Sequence, residues 1–215
     1  VRENLVLHAK WIPVEYKIAY ELNGGTNAET NPEAYTVEDT VKLAEPVRAG
    51  YQFAGWNTAA DGTGINVTEI PVGSSGEKTY YAQWTPLEQT YEMHHLLEKL
   101  DGSGYDDKET TTDTALTDAT VVVGANQSRA YTGFTYNDAL TVEKAQNSGT
   151  IPGEGTLVLN LYYSRNRYTV TLRPGVGTDN NVSVPYEGKV AQPEAPSRAG
   201  YTFTGWYVAE ETPRA

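Results

Sequence analysis

The chain repeats itself. Pro46, Val47, Arg48, Ala49, Gly50, Tyr51, Gln52, Phe53, Ala54, Gly55 and Trp56 return 150 residues later as Pro196, Ser197, Arg198, Ala199, Gly200, Tyr201, Thr202, Phe203, Thr204, Gly205 and Trp206, with eight of eleven positions identical. Self-similarity at a fixed spacing is the mark of an array whose units are each one small supersecondary element, and it limits the fold more than any single residue does. A weaker match at an offset of 152 lays Leu5, Val6, Leu7 and Tyr16 over Leu157, Val158, Leu159 and Tyr168. A strand start also recurs three times, as Tyr16, Ile18, Tyr20, Leu22, then Tyr91, Met93, His95, Leu97, then Tyr168, Val170, Leu172, at spacings of 75 and 77 residues. Each start follows an apolar, aromatic ending: residues 6–11, 80–84 and 157–163.

The expected organisation is therefore a closing strand of a preceding repeat at 1–13, a complete module at 14–86, a divergent module at 87–165 and a truncated module at 166–215. The joints between them are a few residues long and carry stiff prolines, Pro13 and Pro86, which favours a semi-rigid, elongated array over modules on flexible strings. The chain is expected to be a fragment: its first residues lack a charged stretch followed by an apolar one, and the last unit stops before its expected closing strand. Unpaired edges of that kind add strands, so residues 5–11 of one copy are expected to complete residues 166–215 of another.

Composition fits small β modules. There are 16 Tyr, 4 Trp and 27 Thr, residues that suit a half-buried pleated surface. Residues 16–22 alternate apolar with polar in period two and end in the turn Asn23, Gly24, Gly25. Tyr35, Val37, Val41 and Leu43 fit short strands. Residues 50–56 alternate again, with Tyr51, Phe53 and Gly55 opposite Gln52, Ala54 and Trp56, so that large aromatics are expected on both faces. Residues 93–100 have helical propensity, but their register with Tyr16 and Tyr168 predicts strand. The best helical candidate is 137–146, with Ala139, Leu140 and Ala145 facing inward. The fold class is mainly β (α+β).

Charge and cysteine content remove several functions. With 16 Lys plus Arg against 28 Asp plus Glu the chain carries −12 and repels phosphate, so nucleic acid is not an expected partner. The absence of Cys leaves no disulfide framework, no thiolate metal site and no Cys nucleophile. Purely apolar runs such as 121–123 and 157–159 are far too short for membrane insertion.

No pattern points to catalysis, a metal or a cofactor. His8, His94 and His95 lack further ligands at metal-binding spacing, and His94 and His95 would face opposite sides of a strand. Residues 101–107 hold several oxygen donors without the twelve-residue EF-hand pattern, so a turn is expected. The adjacent pairs Glu38 with Asp39 and Glu210 with Glu211 do not offer the cross-cleft spacing of a glycosidase. There is no Gly-x-Ser-x-Gly elbow and no phosphate loop. The candidate contact residues are the aromatics Trp56, Trp206, Tyr105 and Tyr136, because aromatic faces stack on sugars. The competing reading makes such residues core, since a module this small must bury what it has.

The first unit resembles the internalin B-type B repeat, also called the Listeria-Bacteroides repeat, of bacterial surface proteins. The likeness rests on residues 16–27, on Asn31, Pro32 and Tyr35, on Arg48, Gly50, Tyr51, Phe53, Gly55 and Trp56, and on Ile70, Pro71, Gly73, Tyr81, Ala82 and Trp84. The last unit is similar through Arg198, Gly200, Tyr201, Phe203, Gly205 and Trp206, with Pro174, Gly175, Val176, Gly177 in place of Asn-Gly-Gly. The central unit resembles mucin-binding-protein (MucBP-like) modules through residues 100–105, 131–134 and 148–151. These resemblances imply β-grasp, ubiquitin-like modules in a non-enzymatic segment of a secreted or wall-attached bacterial protein. They imply a stalk or spacer between neighbouring repeats, and a possible adhesin for host glycoprotein or mucin glycans. The alternative they leave open is a specific mucin- or carbohydrate-binding module centred on 87–165.

Overall fold

The computed structural model describes residues 6–208 and is mainly β. The first stretch holds β1 (Tyr16–Glu21), β2 (Ala34–Tyr35), β3 (Val41–Lys42), β4 (Tyr51–Asn57), β5 (Asn66–Val67), β6 (Glu69–Ile70) and β7 (Lys78–Pro86). There follow β8 (Glu88–Glu98), β9 (Tyr105–Leu116), β10 (Thr120–Val122), a 3-10 turn (Ala125–Gln127), β11 (Phe134–Tyr136), the helix α1 (Asp138–Glu143), β12 (Ser148–Thr150) and β13 (Val158–Arg165). A hairpin of β14 (Arg167–Leu172) and β15 (Asn180–Pro185) comes last. Residues 6–15 form neither helix nor strand, and Leu5, the first residue of the expected strand donor, lies outside the described residues. No helix among the described residues is long and apolar enough to cross a membrane, which says nothing of strands.

The chain divides into two compact units. One contains the residues up to 92 together with 112–121 and 148–158. The other contains 93–111, 122–147 and the residues from 159 onward.

Within the first unit a five-stranded sheet has the order β2-β1-β7-β4-β5. β1 and β7 pair in parallel, with Ile18 opposite Lys78 and Tyr20 opposite Tyr80. β2 and β4 flank this pair antiparallel. The short β3–β6 ribbon lies outside the sheet order and sends Val41, Leu43 and Ile70 into the same core as Ile18, Tyr35, Trp56, Tyr80 and Ala82. A Leu-sized side chain fully buried in such a cluster contributes about 1.5–3 kcal/mol.

β4 departs from simple alternation. Phe53 pairs with Trp84 and Gly55 with Gln83, a register shift that leaves Ala54 as a bulge. The extra residue turns Phe53 and Trp56 to one side, where their rings meet edge-on with centroids 5.5 Å apart. The expectation that Phe53 and Trp56 face opposite ways is thus corrected: the bulge gathers these two into one core, while Tyr51 lies outside it. Gly55 makes the bulge with φ +126, a backbone state that side chains rarely adopt.

The recurrent strand starts are all strands, β1, β8 and β14, so residues 93–98 follow the repeat register rather than helix propensity. α1 is shorter than expected. Asn137 caps it, its side chain accepting the Leu140 N–H at 3.0 Å. The inward residue is Thr141, fully buried, and not Ala139 or Ala145, which are exposed. Thr141 donates to the Asn137 carbonyl at 2.9 Å and accepts the Tyr162 N–H at 3.1 Å, so a polar side chain holds the helix to β13.

Nothing lies within 4 Å of a Cβ built on Gly55, so the cost of Gly55→Ala is purely conformational. We expect a loss of about 1–3 kcal/mol, seen as a lower midpoint in urea unfolding, with the change reversed in no variant that keeps a Cβ at 55.

Candidate functional site

Trp56 is closed off. It keeps 1 % of its surface, and Tyr20 and Phe53 lie against it with ring centroids at 5.2 and 5.5 Å. Its indole N–H donates to the Ala44 carbonyl at 3.0 Å, the same oxygen that receives the Asn31 amide. Burial drives the neighbouring Tyr20 phenol up to about 12, with Tyr80 adding to the effect.

Trp206, its repeat counterpart, is half-buried beside Phe203 and lines an open recess of about 330 Å³ with Leu172, Pro174, Asn180, Pro193 and Glu194. Its indole nitrogen is buried without a hydrogen-bond partner among the described residues. Closely similar local sequence thus gives two different environments.

Tyr105 and Tyr136 are half-buried. The Tyr105 ring meets Tyr162 edge-on at 4.8 Å, and Tyr136 meets Tyr163 at 5.6 Å while its hydroxyl donates to Asp138 at 3.2 Å. Burial raises both phenols above their ordinary range. Each retains a partly open face. The structure brings neither together with Trp56.

A polar aromatic cluster escaped sequence reasoning. His95, on β8, is fully buried. Its Nδ1 lies 2.8 Å from the Tyr163 hydroxyl and its Nε2 3.0 Å from the Thr111 hydroxyl. Tyr163 Oη also accepts the Arg129 N–H at 2.9 Å, while Tyr131 Oη donates to Glu109, which pairs with the Arg129 guanidinium at 3.0 Å. Burial lowers the His95 pKa, only partly opposed by Glu109. His94 points the other way and pairs with Asp107 at 2.6 Å, in keeping with strand alternation. The turn expected at 101–107 forms over 101–104, with Asp101 accepting the Ser103 N–H at 2.9 Å, while residues 105–107 already belong to β9. No group of three or more potential metal ligands occurs among the described residues.

Arg165 is the second feature that pattern reading missed. At the end of β13 its side chain is 10 % exposed. Nε and Nη2 donate to the Glu98 carbonyl at 3.2 and 3.1 Å, and Nη1 donates to the Tyr186 carbonyl at 3.0 Å and to the Glu187 carboxylate at 2.8 Å. The guanidinium also stands 4.6 Å from the Phe134 ring centre. Gly133 lies so close to the Tyr186 ring that a Cβ there would overlap it. One arginine thereby ties the end of β8 and the end of β13 to the turn after β15, where a flexible linker would otherwise be.

The signature residues form a third construction. Arg48 stacks over the Tyr51 ring at 3.7 Å and its Nη2 lies 3.9 Å from Asp118, to which the Tyr51 hydroxyl donates. That hydrogen bond raises the Tyr51 pKa, with burial adding to it. The Gly50 carbonyl accepts the Leu87 N–H at 2.9 Å and the Thr117 hydroxyl at 2.8 Å. Phe53 and Gly55 serve the core and the bulge. In the later copy Arg198 stacks over Tyr201 at 4.2 Å, while Gly200 and Gly205 have open space around them.

With these placements in hand, the profile of the Listeria-Bacteroides repeat domain matches residues 16–83 and 168–214, more than half of the chain. The chain belongs to the Listeria-Bacteroides repeat family. The matched segments carry both signature turns, and residues 84–167, with the His95 cluster, lie between them. Two proteins of Evansella cellulosilytica are similar. One, provisionally named a Gly-rich membrane protein, is 31 % identical over 177 residues, covering 76 % of this chain and 20 % of its own. The other, provisionally named a membrane protein, is 30 % identical over 167 residues, covering 75 % and 24 %. The chain thus spans about a fifth to a quarter of the length of these curated relatives.

His95 gives a pH prediction with a definite sign. Its folded pKa lies below 6.5, so on acidification the unfolded chain binds the proton first. Stability is full above about pH 6.5 and falls as the pH drops below it. Urea unfolding between pH 7.5 and 5.5 should show this decline, and His95→Gln should flatten it, whereas the lowered carboxyls of Asp39, Asp61 and Asp101 act only below the ordinary Asp value of 3.8. For Arg165→Ala we expect a loss of about 1.5–3 kcal/mol and faster hydrogen exchange at the Tyr186 N–H, which donates to the Asn166 carbonyl at 2.7 Å.

Proposed function

We propose that the chain is a non-enzymatic repeat segment on the outside of a bacterial cell, serving as a stalk or spacer in a longer surface protein. The observation that carries this reading is the way successive elements are joined: the turn at Gly50 and the arginine at 165 replace linkers with hydrogen-bonded seats. A spacer is useful only if its joints resist bending. This reading keeps the modular parse at 14–86, 87–165 and 166–215, with 1–13 belonging to a preceding repeat. The sheet order β2-β1-β7-β4-β5 around a parallel central pair supports a β-grasp reading of the first module. The relatives' names, which refer to a membrane, support a cell-envelope location on the cell surface or wall.

The second reading keeps 87–165 as a MucBP-like mucin- or carbohydrate-binding module. What favours it is that Tyr105 and Tyr136 retain partly open faces, as does Trp206 in the last repeat, while Trp56 does not. Host glycoprotein contact would then add adhesion to the spacer role.

The test displays the 215-residue chain between a cell-wall anchor and a terminal epitope, and presents the same cells with immobilised mucin before and after deglycosylation. A spacer raises epitope accessibility to antibody, and Tyr105→Ser with Tyr136→Ser leaves that unchanged. Mucin capture that deglycosylation and these two substitutions abolish makes the second reading the correct one.

A further inference from the structure

We propose that the Arg48-Ala49-Gly50-Tyr51 turn is a docking seat for the module that follows it, and that it selects a partner turn presenting adjacent hydroxyl and carboxylate side chains opposite a bare glycine. The proposal rests on the modular reading above. In this chain the partner turn is Thr117-Asp118, and the glycine is Gly153.

Every residue of the turn makes a contact outside the first sheet. The Gly50 carbonyl takes the Leu87 N–H and the Thr117 hydroxyl, whose single hydrogen is shared with the Leu87 carbonyl at 3.1 Å. Tyr51 and Arg48 both address Asp118. A Cβ on Gly50 would lie 2.5 Å from the Gly153 Cα and 2.7 Å from the Thr117 hydroxyl, and a Cβ on Gly153 would overlap the Ala49 carbonyl. Backbone therefore meets backbone, and only glycine on both sides permits it. Asp118 itself sits at φ +65, a state that Asp tolerates better than most residues and that the surrounding contacts must hold.

The later copy of the motif separates the turn from its docking. Tyr201 N–H donates to the Arg198 carbonyl at 3.0 Å, as Tyr51 N–H does to Arg48 at 3.2 Å, and Gly200 has φ +79 against +76 at Gly50. The arginine again stacks on the tyrosine. Yet among the described residues nothing lies within 4 Å of a Cβ on Gly200, and Tyr201 is 68 % exposed. The turn thus forms without a partner, so docking onto it requires little ordering, which is the advantage of a preorganised surface.

The chain has no cysteine, so labels can be placed at will. With nitroxides on Ser75→Cys and Thr156→Cys, two exposed positions of the same compact unit, pulsed dipolar spectroscopy reads how firmly the seat holds. A single narrow distance peak is expected. Gly153→Ala and Thr117→Val should each abolish the narrow peak while the first sheet stays folded by circular dichroism, and Thr117→Ser should restore it. Gly200→Ala is the control: it adds a Cβ at the copy of the turn that has open space among the described residues, and should leave the peak unchanged. A broad distribution in the parent, or a peak still narrow in Gly153→Ala and Thr117→Val, overturns the proposal. A failure of the surface-display test with the narrow peak intact would overturn the spacer reading and leave the seat standing.

Discussion

The strand that closes the first sheet lies in its middle. β7 is the last element of that sheet in the chain, yet it pairs in parallel with β1 and antiparallel with β4, and so joins the two halves. Ile18 and Lys78, paired across it, are separated by most of the module. Closing a loop of that length costs entropy before the contacts reward it. The hydrophobic core of Tyr35, Trp56, Tyr80 and Ile70 has no completed floor until β7 arrives, which makes the sheet cooperative and explains why a repeat of this kind is a unit rather than a set of hairpins.

The two compact units fill corresponding slots with different chemistry. Tyr20 on β1 and His95 on β8 occupy the same place in the recurrent strand start. Tyr20 sends its hydroxyl out to the Pro32 carbonyl at 3.1 Å from an otherwise apolar cluster. His95 is enclosed by hydroxyls from Tyr163 and Thr111; Tyr163 in turn accepts the Arg129 N–H, and the Arg129 guanidinium pairs with the Glu109 carboxylate. A buried imidazole with both nitrogens satisfied fixes one arrangement of its neighbours, because every alternative strands a polar atom away from water. Two of the 16 tyrosines, Tyr131 and Tyr163, serve this polar packing.

The connections follow the same logic. A short proline-bearing joint limits where the next element can go, but by itself does not fix its orientation. Orientation comes from directional contacts: carbonyl oxygens at Gly50, Glu98 and Tyr186 receive side-chain donors, and Gly50, Gly153 and Gly133 allow approach at distances no other residue permits. Such seats are made of few atoms, and their loss leaves each sheet's own core untouched.

The sequence by itself determined the repeat, the strands with their period-two faces, the turn at Asn23-Gly24, the Asn137 helix start and the absence of thiol chemistry, because these depend on residues within a few positions of one another. It also placed 93–98 in a strand, through register with the other copies. The bulge at Ala54, the burial of Thr141 in place of Ala139 and Ala145, the satisfied His95, the Arg165 clamp and the contrast between Trp56 and Trp206 were decided by tertiary structure. Each depends on a partner distant in the chain: Gln83 and Trp84 for the bulge, Tyr162 for Thr141, Tyr163 for His95, Glu98 and Tyr186 for Arg165, the strand pairing that sets Trp56 opposite Ala82. Local pattern states which faces a residue can present; only the closed sheet states what meets them, since burial and hydrogen-bond geometry are properties of the assembled neighbours.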